Sequence, residues 1–197
     1  RSPSRGLGDV YKRQALAIAL VFDAISDPLV GAWSDRFKSK WGRRHPFVYI
    51  AIIPFGLSAY FLYSIPTDTS QTALFIKLLI ASILLRTLFT FYETPRAAIG
   101  PELITDYERR NTLSGYGVLY GNMGLGIMSY AMLAFFLVET ETFSGSHAFL
   151  NPDAYPKFGL LACILIIIFG FISSLSTHKY IPDMVEPEPK QFKFSEF

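Results

Sequence analysis

The chain has 197 residues, of which 51% are hydrophobic, 16% aromatic and only 17% charged, and its mean hydropathy is +0.32. That balance lies outside the soluble range and predicts an all-α, polytopic transmembrane helix bundle whose first partner is the lipid bilayer. A net charge of +2, with the basic residues gathered between apolar runs and not along one stripe, argues for no nucleic-acid partner. The single cysteine, Cys163, excludes an internal disulfide framework and any multi-cysteine metal cluster.

The first fourteen residues, RSPSRGLGDVYKRQ, lack the apolar core of a signal peptide and cannot span a bilayer. They are expected to be a non-native or disordered leader, on a reading frame that is incomplete and misses one helix in front. Five apolar runs follow, at about 15–35, 47–65, 71–97, 112–138 and 157–177, each near the ~20 residues that cross a hydrocarbon core. The connections alternate in charge: RFKSKWGRRHP and RAAIGPELITDYERRN carry the arginines, whereas PTDTSQ and the long stretch before the last span carry no Lys or Arg. The positive-inside tendency therefore puts loops 36–46 and 98–111 in the cytoplasm, and loops 66–70 and 139–156 outside. The Pro- and charge-rich tail, 179–197, reads as a cytoplasmic linker.

In the first span, FDAISDPLVGAWSDR, Asp23 and Asp27 stand one turn apart on one helical face. An ionised acid at a helix centre costs roughly 2.5–3.5 kcal/mol, so such a residue faces a cavity or a partner. By helical rise Asp23 and Asp27 lie ~18 and ~12 Å from Asp35, and Arg86 and Glu93 of the third span lie ~21 and ~10 Å from Gly100. Asp27 is thus expected to share a layer with Glu93, and Asp23 with Arg86, in one polar pocket of three acids and one base. Hard oxygens replace the water shell of Na⁺, and Asp23, Ser26, Asp27 and Thr90 supply them, so any metal site is a Na⁺ site at Asp23 and Asp27. A carboxylate such as Glu93 accepts two neighbouring hydroxyls, and a ring such as Tyr92 covers an apolar ligand face. No cofactor is expected beyond a bound cation, Na⁺ or H⁺.

At the end of the first span Asp35 sits beside Arg36, and Arg43 and Arg44 open the next helix across a turn that Gly42 permits. A charge cluster there ties two helices at the inner surface. Gly117, Gly121 and Gly124 recur on a face of the fourth apolar run and predict close helix packing. Pro28, Pro54 and Pro95 are expected to kink their helices. His45 and His147 fall in loops and His178 follows the last span, with no partner at metal spacing. An intramembrane acid-dependent enzyme and a membrane scaffold are the competing classes. No HExxH, phosphate-cradling glycine loop or Ser/His set supports the enzyme.

The stretch DAISDPLVGAWSDRFKSKWGRRHPF resembles the second helix and following loop of the glycoside–pentoside–hexuronide:cation symporters, a family of the major facilitator superfamily. Its first half is Asp-x-x-x-Asp-Pro at Asp23, Asp27 and Pro28. Its second is Gly-x-x-x-Asp-Arg with Gly-Arg-Arg, at Gly31, Asp35, Arg36, Gly42, Arg43 and Arg44. TFYETPRAAIGPELITDYERRNTLSGY is similar to the family's fourth helix, its connection and the start of its fifth. The resemblance covers about 15–185 and implies helices II to VI of a twelve-helix carrier, hence a partial N-terminal half of a major facilitator fold in a plasma or bacterial inner membrane.

The resemblance implies cation-coupled symport of a sugar or glycoside, or in a related branch of a lipid, and a partner in the missing remainder of the same carrier. It assigns Asp23, Asp27 and Thr90 to the coupling cation, Ser26 to cation choice and Glu93 to the sugar. It makes the 31–44 motif a gate that holds and releases one conformation. The chain departs from the family pattern at Arg86, near Gly117 where an arginine is expected, and at Ala97 where an aromatic is expected.

Overall fold

The computed structural model describes residues 3–181 except 38, 66–69, 105 and 141–150, and for residues 3–13, 15, 16, 19, 22 and 23 it describes the backbone alone. Residues 66–69 and 141–150 of the two loops expected outside, among them His147, and nearly all of the 179–197 linker therefore lie outside the described residues. Five helices follow one another: α1 (Pro3–Arg36), α2 (His45–Tyr63), α3 (Gln71–Leu103), α4 (Tyr107–Ala131) and α5 (Ala154–His178). A π-helical turn, Met132–Phe136, prolongs α4. No strand occurs among the described residues.

Four helices, α2, α3, α5 and α4 with its π turn, are each long and apolar enough to cross a membrane. The chain is an integral membrane helical bundle, and the exposed apolar side chains fit that setting. Ile50 and Leu57 of α2 and Phe169, Ile172 and Leu175 of α5 are all more than half exposed, which is stable against lipid and costly against water.

The start of the chain departs from expectation. α1 opens at Pro3 and runs unbroken through the stretch expected to be a leader. Proline fits the first turn of a helix, where its missing N–H is not needed, and the next proline is Pro28. Pro28, Pro54, Pro95 and Pro101 all lie inside helices. α3 begins under a cap in which the Ser70 hydroxyl accepts the Ala73 N–H at 3.3 Å, and it continues past the expected end at 97 to Leu103. Arg110 closes that end from α4, donating to the carbonyls of Pro101 at 3.2 Å and Ile104 at 3.1 Å, two of the acceptors that a helix C-terminus leaves open.

The helices pack in the order α1, α3, α2, α5, with α4 at the margin against the end of α3 and, through its π turn, against α5. The core follows α2, where Val48, Ala51 and Ile52 are buried against neighbours on both sides. Aromatic edges fill the seams: Trp33 of α1 meets Phe47 and Phe91 at 5.4 and 6.0 Å, and Phe158 of α5 meets Tyr63 at 5.2 Å.

Small residues set the α2–α5 distance. A Cβ on Gly159 would stand 2.6 Å from Tyr63 Cβ, and one on Gly56 would stand 2.9 Å from Ile167 Cγ1 and 3.1 Å from the Cys163 carbonyl. Gly117, Gly121 and Gly124, the glycines expected to carry close packing, have nothing within 4 Å of a Cβ. The expected contact is absent among the described residues because α4 lies at the margin of the bundle and buries none of its residues. Gly159→Ala is therefore expected to cost about 1–3 kcal/mol by overpacking. Gly121→Ala should stabilise the chain by up to ~1 kcal/mol through helix propensity. Thermal unfolding of the two variants in detergent checks the contrast, and equal melting temperatures would remove the glycine seam.

The histidines are placed differently from the sequence expectation. His45 is the first residue of α2 and is buried, with Nε2 3.1 Å from Thr177 Oγ1 of α5. His178 ends α5, its Nδ1 3.0 Å from the Tyr49 hydroxyl. They fasten the start of α2 to the end of α5, and no group of three or more metal-ligating His, Cys, Asp or Glu residues occurs among the described residues.

Candidate functional site

Arg86, Thr90 and Glu93 recur on α3 at spacings of four and three, so one stripe of that helix carries all three. α1 lies along the stripe. A Cβ at Gly31 would sit 3.6 Å from Thr94 Cγ2, ordinary contact that fixes how near the two helices come. One helical turn before Gly31, the Thr90 hydroxyl donates to Asp27 Oδ1 at 2.7 Å. Thr90 is buried, so an otherwise costly hydroxyl is spent on a carboxylate, a short charge-assisted bond. The described bond uses one oxygen of Asp27, so Oδ2 and the lone pairs of Thr90 Oγ1 are hard-oxygen donors of the type that could hold a cation, and Ser26 stands next in the chain.

Glu93 is engaged within its own helix. Arg96 donates to both of its oxygens, Nε to Oε2 at 2.8 Å and Nη2 to Oε1 at 2.6 Å, a fork-to-fork pair. The guanidinium carbon lies 5.9 Å from the centre of the Tyr92 ring, and that ring stacks on Phe55 of α2 at 5.8 Å. Where one pocket of three acids and one base was expected, the described contacts form two groups, Asp27 with Thr90 and Glu93 with Arg96. The expected pairing of Asp23 with Arg86 rests on the Asp23 side chain, which lies outside the described residues. Arg96 was missed by sequence reasoning, although its spacing of three from Glu93 is a helical ion-pair signal.

The second constellation sits where α1, α2 and α3 end together. Arg44 Nη2 lies 2.7 Å from Asp35 Oδ1 and 3.0 Å from Glu102 Oε1, and Arg43 Nη2 reaches the same Glu102 oxygen at 3.0 Å. Asp35, Arg43 and Arg44 come together as the spacing implied. Glu102, on the last turn of α3, was not foreseen, yet its side chain is only 12% exposed whereas that of Asp35 is 54% exposed. One acid thus holds two arginines in a protected place, tying three helices and not two. Arg36 ends α1 with an exposed side chain.

Gly42 makes the connecting turn with φ +79°, a left-handed conformation. Ser39 fastens it, its hydroxyl donating to the Gly42 carbonyl at 2.8 Å and accepting the Trp41 N–H at 3.1 Å. A Cβ on Gly42 would also come within 3.3 Å of Ile181 Cγ2. Gly42→Ala is expected to cost about 1–2 kcal/mol from backbone conformation. Gly42→Asn, which tolerates that region better, should cost less, and the order of the two melting temperatures is the check.

Comparison with known proteins completes the description. The family model for MFS/sugar transport proteins matches residues 10–196. The chain is 34% identical over 136 residues to an uncharacterized symporter, sll1374, of Synechocystis, covering 66% of this chain and 25% of that protein. It is 33% identical over 116 residues to the inner membrane symporter YicJ of Escherichia coli, covering 59% and 25%. It is 30% identical over 99 residues to the putative glycoside/cation symporter YagG of the same organism, covering 50% and 21%. The chain thus spans about a quarter of the length of these curated relatives. Their names point away from an enzyme.

Proposed function

The chain belongs to the MFS/sugar transport protein family, and from that premise we propose that it is part of a cation-coupled symporter for a sugar or glycoside, with Na⁺ or H⁺ as coupling ion. The observation that carries this reading is the Thr90–Asp27 bond, which holds an acid of α1 against a polar stripe of α3. Asp27 and Thr90 hold the cation, joined by Asp23 and Ser26 from the same turn region of α1. The solute meets the same stripe one turn further on, at Glu93 beside Tyr92, with Arg86 at the opposite end. Coupling is reciprocal: whatever cation and solute each contribute to the shared arrangement, each raises the other's affinity by the same factor.

The Asp35, Arg43, Arg44 and Glu102 cluster acts as the inner gate. Its bonds hold one arrangement of three helix ends and must part when the bundle rocks. Loops 36–46 and 98–111 face the cytoplasm of a bacterial cell, in the inner membrane, by their excess of arginine. The test is uptake of radiolabelled glycosides into vesicles carrying the full-length carrier, with an imposed Na⁺ gradient, an imposed pH gradient, or neither. Gradient-driven accumulation of one glycoside is expected. Conversion of the glycoside to product, or indifference to both gradients, would overturn the symporter reading.

A further inference from the structure

A groove of about 380 Å³ runs between α1, α2 and α3. Trp33 and Phe37 of α1, Ile50 and Pro54 of α2, and Leu88 and Phe91 of α3 are among its walls, and no ionisable side chain among the described residues lines it. Thr87 carries the one hydroxyl on those walls, and it is already given to the Ile83 carbonyl at 2.8 Å. Apart from the indole N–H of Trp33, the lining has no unspent side-chain donor. Hydrocarbon fits such a surface and water does not.

Ring contacts brace the walls against one another. Trp33 meets Phe47 and Phe91 edge-on at 5.4 and 6.0 Å, and Phe37 meets Phe47 at 5.2 Å. Along α2 the lining runs from Pro46 to Pro54, eight residues or ~12 Å at the helical rise. That is most of the ~15 Å of hydrocarbon in one leaflet, half of a ~30 Å core. Ile50 and Trp33 are 75% and 57% exposed, so the groove opens sideways toward lipid.

At one end the groove meets the 36–44 loop, where the charge changes abruptly. RFKSKWGRR carries five basic residues and no acid. Arg43 and Arg44 are occupied by Glu102 and Asp35. Arg36 and Lys40 are exposed and form no ion pair among the described residues. Arg36 follows Trp33 by three positions and so stands near the groove side of α1. Trp41, also exposed, is a residue type favoured where a membrane meets water.

We propose that this groove holds an acyl chain of an anionic phospholipid from the leaflet on the side of the 36–44 loop, with its phosphate and headgroup on Arg36 and Lys40. Charge complementarity decides the occupant. A packed helix would fill the apolar part and leave two cations unanswered, and a free phosphate would answer the cations and leave the groove empty. An anionic lipid does both. The lipid is a resident of the bundle and not its cargo, so the site stands whether or not the chain carries a glycoside.

Tryptophan quenching by brominated lipid reads the groove directly, because the chain has two tryptophans and Trp41→Phe leaves Trp33 as the reporter. The full chain carrying Trp41→Phe is placed in phosphatidylcholine nanodiscs, into which phosphatidylglycerol or phosphatidylcholine with dibrominated acyl chains is titrated. Brominated phosphatidylglycerol is expected to reach half-maximal quenching at a mole fraction roughly tenfold lower than brominated phosphatidylcholine, the scale of two surface cations against an anionic lipid. Arg36→Gln with Lys40→Gln should bring the two lipids within about twofold of each other. Arg36→Lys should keep the preference, since the site needs charge and not a planar fork. Phe169→Trp, at an exposed position of α5, combined with Trp33→Phe and Trp41→Phe, reports on bulk lipid and should not distinguish the two.

Equal half-maximal mole fractions at Trp33, or a preference that survives Arg36→Gln with Lys40→Gln, would overturn the proposal. So would the same preference at Phe169→Trp, which would make it a property of the bilayer surface and not of the groove. Absence of quenching by either lipid would show that protein covers the groove, and would equally overturn it. None of these outcomes bears on gradient-driven uptake, so the lipid site and the symporter reading fail separately.

Discussion

Asp27→Asn should abolish cation-stimulated solute binding and leave the helices folded. Asparagine has the same shape, and its amide oxygen still accepts the Thr90 hydroxyl that now bonds Oδ1 at 2.7 Å, so the α1–α3 seam survives. What is lost is the full negative charge that replaces the water shell of a cation. A fall in cation affinity of about a hundredfold, or ~2.8 kcal/mol at 1.4 kcal/mol per decade, is expected. Thr90→Val removes the other half of the pair: Asp27 loses a donor and the cation loses an oxygen, so the fall should be smaller, about tenfold. Asp27→Glu keeps the charge with a longer reach and should retain part of the stimulation. Solute binding measured against a cation series distinguishes these cases. An Asp27→Asn variant with the parent's cation response would remove Asp27 from the site and favour a scaffold.

Glu102→Gln should weaken the inner cluster far more than Asp35→Asn does. Glu102 Oε1 accepts a hydrogen bond from Arg43 and forms an ion pair with Arg44, each at 3.0 Å, and the side chains of Glu102 and Arg44 are 12% and 11% exposed. Removing its charge leaves two guanidinium groups facing a neutral amide in a protected setting, which costs about 3 kcal/mol, the low end for breaking a buried pair. Asp35 is 54% exposed, so water screens its contact with Arg44 and Asp35→Asn should cost under ~1 kcal/mol. If the cluster is the gate proposed above, this difference of about 2 kcal/mol would shift the balance between closed and open arrangements by roughly thirtyfold. Thiol labelling of a cysteine introduced at Leu103, next to Glu102, should speed up in Glu102→Gln and change little in Asp35→Asn. Equal rates in the two variants would show that Glu102 is not the hub.

Lys at position 44 offers a further check on geometry. Arg44 uses one nitrogen, Nη2, to bridge Asp35 and Glu102, so Arg44→Lys keeps the charge and loses the planar fork that fixes the angle between them. Labelling at Leu103 is expected to fall between that of the parent and that of Glu102→Gln.

Hydropathy and charge along the chain were enough to place α2 to α5, because the cost of burying a polar residue in lipid is local and adds up residue by residue. α1 was found in its apolar part, from residue 15, but its extension back to Pro3 was not, since residues 3–14 carry no apolar run to mark them. The Asp35, Arg43 and Arg44 cluster was also legible, because a short turn through Gly42 leaves two helix ends little freedom to part. Glu102 was not, since it is 59 residues from Arg43 and joins it only because α2 and α3 run side by side, with the start of α2 level with the end of α3.

The sequence by itself determined which segments are apolar enough to cross a membrane, which turn is tight and which family the chain resembles. Tertiary structure alone decided who meets whom: Asp27 with Thr90 and not directly with Glu93, Gly159 and not Gly121 in a close seam, Arg43 and Arg44 on Glu102. The physical reason is rotation. Periodicity says which residues share a face of a helix, but the direction in which that face points is set by packing against neighbours far away in the chain, and each of these contacts depends on it.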